Sequence, residues 1–463
     1  MATPYTNSVN VSSRRTIHCA NDSSWKTLDL VPFHLGPFDQ VAGFVPIRVV
    51  WVFEQPNESD VHLLPPERLQ LALTLLLDYY PHLTGRLQIN PSNAIREIVG
   101  LGTGAELLLA QCSERLDAFS SPGVNPICPT VEMRYSRRST QVPEATCRNP
   151  IFAVQHTSFA CGGVALGVRV HHTVCDADGF FQVVRDLAEL YRGVVSSEIN
   201  GGVASLAHAP HIRPYMSEFV GNMTPEEREA ALRFPTATFR RYLRFSSLEL
   251  AALKEKAANP NGGGWVSTFE ALAAHIYQRV HRARLQLYSA NPDLRDLSPT
   301  DFLMPINLRT NLGLPPRYFP NALFVSSKII PSDMLATGPL WQVAKAVHDI
   351  ARSSALTKDQ VNGTLKWVAA QADTQKITEH FQYGSGSFMV SQWNKFDMYL
   401  ASVFDVAPVL VSQPFTQSSL VDGLVYFLPT EELGTGGDVG AIDVSLALSE
   451  PMWAFMDQDA QVV

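Results

Sequence analysis

The run from Ile151 to Gly193, IFAVQHTSF-ACGG-VALGVRVHH-TVCDADG-FFQVVRDLAELYRG, limits the fold more than any other feature of the chain. Two apolar runs flank a glycine-containing turn, which predicts a β-hairpin. Side chains alternate along a strand. In the second run Val164, Leu166, Val168 and Val170 share one parity, and His172 falls on it. Ala165, Gly167, Arg169 and His171 share the other. The alternation therefore predicts His172 pointing inward and His171 on the face of Arg169. The segment TVCDADG then turns the chain. Phe180, Val183, Val184, Leu187 and Tyr191 follow as one helical stripe, with Gly193 as its expected stop and Asp178 as its expected cap. Asp176 is left without a duty.

Helical and strand patterns alternate elsewhere too. PPERLQLALTLLLDYYP carries one apolar helical face between prolines, and Ser267 with Glu270 forms a capping-box pattern before another helix. Residues 194–236 hold few strong patterns and read as a connection. This divides the chain into an N-terminal domain, 1–193, the connecting segment 194–236, and a C-terminal domain, 237–463. A length of 463 residues with 46% hydrophobic content allows two to four domains. Neither GLGTG nor GTGGDVG fits a phosphate-loop spacing, and no GxSxG elbow occurs.

The net charge of −8 points away from nucleic acid and anionic membrane surfaces as partners. No apolar run reaches the length of a membrane span, and the polar N-terminus lacks a signal-peptide core. Cys19, Cys112, Cys128, Cys147, Cys161 and Cys175 include no CxxC pair, so reduced thiols and a cytoplasmic location are expected.

Three readings of the His171–His172 pair stand on residues alone. One is a satisfied core histidine beside a helix cap. A second is a metal site, weakened because adjacent strand residues face opposite ways; no metal is expected. The third is a general base, a neutral imidazole that takes a proton near pH 7.

From residue 172, H-T-V-C-D resembles the HxxxD motif of the BAHD acyltransferases. LLLDYYPHLTGRL, STFEALAAHIYQRVHRAR, PINLRTNLGLPPRYFPNALF and VSQWNKFDMY resemble further family segments, in order along nearly the whole chain. Pro320 stands where glycine is usual, and the wording is closer to fungal members. The resemblance implies an α/β (α+β) fold class: two chloramphenicol-acetyltransferase-like domains, each a mixed sheet with helices, with a channel between them, in a monomer. It implies transfer of an acetyl or longer acyl group from acyl-CoA to a hydroxyl or amine of a small specialised metabolite. His172 would be the general base, Asp176 would turn away to pair with Arg309, and no acyl-enzyme or bound cofactor would be needed. The developing oxyanion needs a donor, for which Ser391 and Trp393 of the SQW segment are the candidates. Ser267 is a helix cap by pattern and a CoA contact by resemblance. The family's DFGWG signature is replaced by SVFDVAP, Ser402 to Pro408, which puts donor binding in question. Two alternatives remain: a condensation-type enzyme with a carrier-bound donor, and a catalytically dead relative that binds a small molecule.

Overall fold

In the computed structural model, the described residues are 9–29, 33–42, 46–56, 62–90, 95–116, 149–215, 238–262, 264–291, 300–352, 357–369, 386–413 and 421–458. Cys128, Cys147 and the connecting segment from residue 216 onward lie outside them. Cys19, Cys112, Cys161 and Cys175 form no disulfide among the described residues.

The strands are β1 (Val9–Ile17), β2 (Pro46–Phe53), β3 (Arg86–Ile89), β4 (Arg96–Val99), β5 (Ala105–Cys112), β6 (Phe152–Phe159) and β7 (Val164–His171). They continue with β8 (Thr238–Phe245), β9 (Asp301–Asn307), β10 (Leu323–Ile329), β11 (Phe388–Gln392), β12 (Leu410–Ser412), β13 (Leu424–Pro429) and β14 (Ile442–Ser449). Two six-stranded sheets form, ordered β1-β5-β6-β7-β2-β12 and β10-β9-β11-β13-β14-β8. Both are mixed. β5 and β6 run parallel in the first sheet, and β9–β11 and β11–β13 run parallel in the second.

The predicted hairpin is β6–β7, with Phe152 opposite Val170. Every residue of β7 is buried, because the strand lies inside the sheet and helices cover it. The helices Pro66–Tyr79 and Ala177–Asn200 pack on the first sheet through Leu69, Leu73, Leu76, Phe180, Val183 and Leu187. Thr268–Ala290, Leu340–Ala351 and Glu450–Gln458 cover the second through Leu272, Ile276, Val343, Val347 and Trp453.

The helix after the hairpin passes Gly193 and ends at Asn200, where Gly201 takes φ 73°. Gly193 is there for another reason than the expected stop: a β-carbon on it would meet Ala204 Cβ at 3.0 Å.

Sheet membership does not follow chain order. β12 pairs antiparallel with β2, so residues 410–412 complete the first sheet. Trp393, Phe396, Met398, Tyr399 and Phe404 also pack in the first core. A cut at residue 237 therefore separates in sequence what the two sheets share in space.

Candidate active site

Asp176 has extended backbone (φ −90°, ψ −170°) and its Oδ1 accepts from the Gly179 backbone N–H at 3.2 Å. It is the cap of the helix, the duty the sequence had suggested for Asp178. A cap must sit one residue before the first helical residue to meet the third N–H. Asp178 lies one position inside the helix, and its Oδ2 accepts from Asn307 Nδ2 at 2.7 Å.

Arg309 closes on the fully buried Asp176 carboxylate from the second sheet's side. Its Nη1 donates to Oδ2 and its Nη2 to Oδ1, both at 2.8 Å. Nε donates to the Tyr318 carbonyl at 3.1 Å, and Nη2 also to the Pro320 carbonyl at 2.9 Å. Ala322 N–H adds a further bond to Asp176 Oδ2 at 2.9 Å. The expected pairing of Asp176 with Arg309 is thus a bidentate bond between the two halves of the chain.

The same helix face carries Gly179, Gln182 and Asp186. A β-carbon on Gly179 would lie 2.0 Å from the Phe319 carbonyl oxygen, so only glycine lets the 317–322 loop come this close. Gln182 donates to the Arg317 carbonyl at 3.1 Å, and Asp186 accepts from Arg317 Nη2 at 2.5 Å and from the Tyr80 hydroxyl at 2.6 Å.

β7 ends at His171, so the strand alternation stops one residue short of His172. His171 is only 4% exposed and its Nδ1 accepts from the Thr173 N–H at 3.3 Å. Burial, with Arg96 and Arg169 nearby, pushes its imidazole down to about 3, which keeps it neutral. His172 sits in the turn after β7, half-buried. Its ring Nδ1 is buried and bonds to nothing among the described residues. Its backbone carbonyl accepts from Asn321 Nδ2 at 2.9 Å.

Behind this turn lies Asp39, which sequence reasoning did not single out. It is 1% exposed, and its Oδ1 accepts from Asn321 N–H (3.1 Å) and Asn321 Nδ2 (2.8 Å), its Oδ2 from Gly36 N–H (2.8 Å). Burial pushes its carboxyl up to about 7, against the lowering effect of those three N–H donors and with Asp176 adding repulsion. Only the acid in GPFDQV marked it in the sequence, and its partner lies 282 positions away.

Trp393 is wedged edge-on between Phe181 (centroids 5.3 Å) and Tyr426 (4.8 Å). Ser391 is half-buried on β11, opposite in parity to the core residues Phe388 and Val390. Ser267 is the cap of Thr268–Ala290, accepting from Glu270 N–H at 3.3 Å. Nearby, Trp265 is 58% exposed with the Lys254 and Arg352 cations over its ring at 5.9 and 5.2 Å.

The altered signature docks on the first domain. Phe404 meets Phe53 and Tyr191 edge-to-face at 5.8 and 5.3 Å. Asp405 Oδ2 accepts from the Leu64 N–H at 2.7 Å and the Tyr191 hydroxyl at 2.8 Å. Leu64 is buried in the left-handed region at φ 45°, so Asp405 holds a strained residue in place.

The Transferase family pattern matches residues 7–462. Putrescine hydroxycinnamoyltransferase 1 of Oryza sativa subsp. japonica is 27% identical over 431 residues, covering 88% of this chain and 90% of its own. Vinorine synthase has the same fold, with TM-score 0.69 at 14% identity over 96% of each chain. So does F. graminearum TRI101 complexed with coenzyme A and deoxynivalenol, with TM-score 0.69 at 16% identity over 93% of this chain and 97% of that one. The HxxxD turn, the paired Arg309 and the two mixed sheets agree with that match: the chain belongs to this Transferase family, the BAHD acyltransferases, which acylate hydroxyl or amine acceptors.

Proposed function

We propose that the protein transfers an acetyl or longer acyl group from acyl-CoA to a hydroxyl or amine of a small specialised metabolite, with His172 as general base. The observation that carries this reading is the division of labour in H-T-V-C-D. Asp176 is wholly consumed by Arg309, Ala322 N–H and Gly179 N–H. His171 is buried and neutral, and bound to its own turn. The half-exposed His172 is the motif's titratable group that can still meet a substrate.

An alcohol attacks a thioester poorly until its proton leaves. His172 takes that proton as the oxygen or nitrogen bonds to the thioester carbon. The carbonyl oxygen then carries the negative charge. Ser391 is the better candidate to donate to it, since Trp393 is committed to packing between two aromatic rings. Collapse of the tetrahedral species breaks the carbon–sulfur bond, and the thiolate recovers the proton from His172. No protein nucleophile enters: the Cys175 thiol is fully buried, and burial raises its pKa well above normal.

Acyl-CoA is the proposed donor, in a channel between the two sheet-bearing halves of a monomer, in the cytoplasm. F. graminearum TRI101, which shares the fold and is complexed with coenzyme A, supports this. Ser267 is the proposed CoA contact, supported by the neighbouring Lys254 and Arg352 cations, which suit phosphates. Calorimetric titration of the folded protein with CoA tests the donor. Saturable binding at micromolar concentration is expected; no heat of binding into the high micromolar range would favour a carrier-bound donor or a non-catalytic role.

A further inference from the structure

In most base-assisted mechanisms a third group holds the imidazole through its second nitrogen, as a carboxylate does in hydrolytic triads. Here Nδ1 of His172 is buried and has no such partner among the described residues. Asp176 does not supply one, because its four acceptor contacts go to Arg309, Ala322 and Gly179. The orientation of His172 must therefore come from its backbone and packing.

Among the described residues the His172 carbonyl has one side-chain partner, the amide of Asn321. That amide uses its two hydrogens separately. One goes to the His172 carbonyl at 2.9 Å and the other to Asp39 Oδ1 at 2.8 Å. The flip of the amide is fixed by this pair, since both partners are acceptors. Asp39 is fixed in turn by the Gly36 N–H and by the Asn321 backbone N–H. Asn321 and Asp39 are both buried, at 3% and 1% exposure, and the bond to the His172 carbonyl is part-buried. The neighbouring charged and titratable groups are the Asp176 carboxylate, the Arg96 guanidinium, the Tyr318 hydroxyl and the Cys175 thiol. Arg96 donates to the Asp39 backbone carbonyl at 3.3 Å. The carboxylate accepts from the Asn321 amide and two backbone N–H groups.

We infer that Asp39 and Asn321 are positioning residues for the base: a buried carboxylate orients one amide, and that amide holds the backbone carbonyl of His172 from across the two halves of the chain. This rests on His172 being the base. Asn321 and Ala322 are consecutive, and their N–H groups go to Asp39 and Asp176. Two carboxylates of the first half thereby register one loop of the second against the HxxxD turn. Positional errors near 1 Å at a reacting group can cost about a hundredfold in rate.

The test is a double-mutant cycle with Asn321→Ala and the isosteric Asp39→Asn, read as kcat and as KM for acyl-CoA, with His172→Ala alongside. Each single variant should lower kcat on the order of 10- to 100-fold with KM within about threefold. Because the two act in series, the double variant should be no slower than the slower single one. If His172→Ala is inactive while folded Asn321→Ala keeps kcat within twofold, the tether is wrong and the base stands. Multiplicative losses in the double variant would also overturn the tether. If His172→Ala stays active, it is the base assignment that fails. Should Asn321→Ala not fold, Asp39→Asn carries the test alone: an unchanged kcat overturns the proposal, and a kcat loss at constant KM supports it.

Discussion

Asp176 shows how much a single side chain decides here. Fully buried carboxylates are tolerated when hydrogen-bonded and paired, and removing one partner strands the other. Asp176→Ala and Arg309→Ala should each lose about 3–5 kcal/mol of stability. The double variant should lose less than the sum, since neither charge is then left alone. Thermal unfolding of the three variants checks this; two singles that melt with the parent would remove Asp176–Arg309 from the account. The pair was legible in the sequence only through resemblance, because residues 176 and 309 lie far apart and no local pattern joins them. The cap was misread between Asp176 and Asp178. Two acids two positions apart look equivalent until the extended backbone of one is known. Strand alternation does not reach His172, because β7 ends one residue before it.

At the scale of elements, the long helix Ala177–Asn200 has two working faces. Its apolar stripe was legible and packs on the first sheet. Its polar stripe, Asp176, Gly179, Gln182 and Asp186, reads as ordinary solvated surface in sequence, yet grips the 317–322 loop. The helix also outran its expected stop, since Gly193 serves a close contact with Ala204. The SVFDVAP segment is the other lesson. The missing motif put donor binding in question, and its replacement docks on the first domain through Phe404 and Asp405. Phe404→Ala removes a buried ring and should cost about 3–5 kcal/mol. Asp405→Ala leaves the Leu64 N–H and the Tyr191 hydroxyl without this acceptor, which should cost about 1–3 kcal/mol. Denaturant unfolding measures both. Loss of CoA binding with unchanged stability would instead mean that the segment acts on the donor directly.

At the scale of the whole molecule, the two halves are laced together by β12, by Arg309 on Asp176 and by Asn321 on Asp39. Sequence order concealed that lacing, although both sheets and their helices were expected. The molecule also buries several neutral histidines. Burial pushes His82 and His171 down to about 3, and His275 and His281 down to about 4. Each folded value lies below the unfolded 6.5, so the unfolded chain binds these protons first as pH falls. The stability they contribute is present above about pH 6.5 and is lost toward pH 3–4, at about 1.4 kcal/mol per pH unit for a fully buried group. The melting temperature should therefore fall steeply from pH 6.5 to pH 5; a flat profile there would contradict the burial of these rings.

The central claim, that the chain is an acyl-CoA-dependent acyltransferase with His172 as its base, is tested most directly by CoA thiol release. The assay compares the parent with His172→Ala and His171→Ala over a panel of acyl-CoA donors and of alcohol and amine acceptors. Acceptor-dependent release is expected from the parent, with a loss on the order of 10²–10⁴ in His172→Ala and most of the turnover kept in His171→Ala. Equal losses in the two folded variants, or an undiminished rate in His172→Ala, would contradict it.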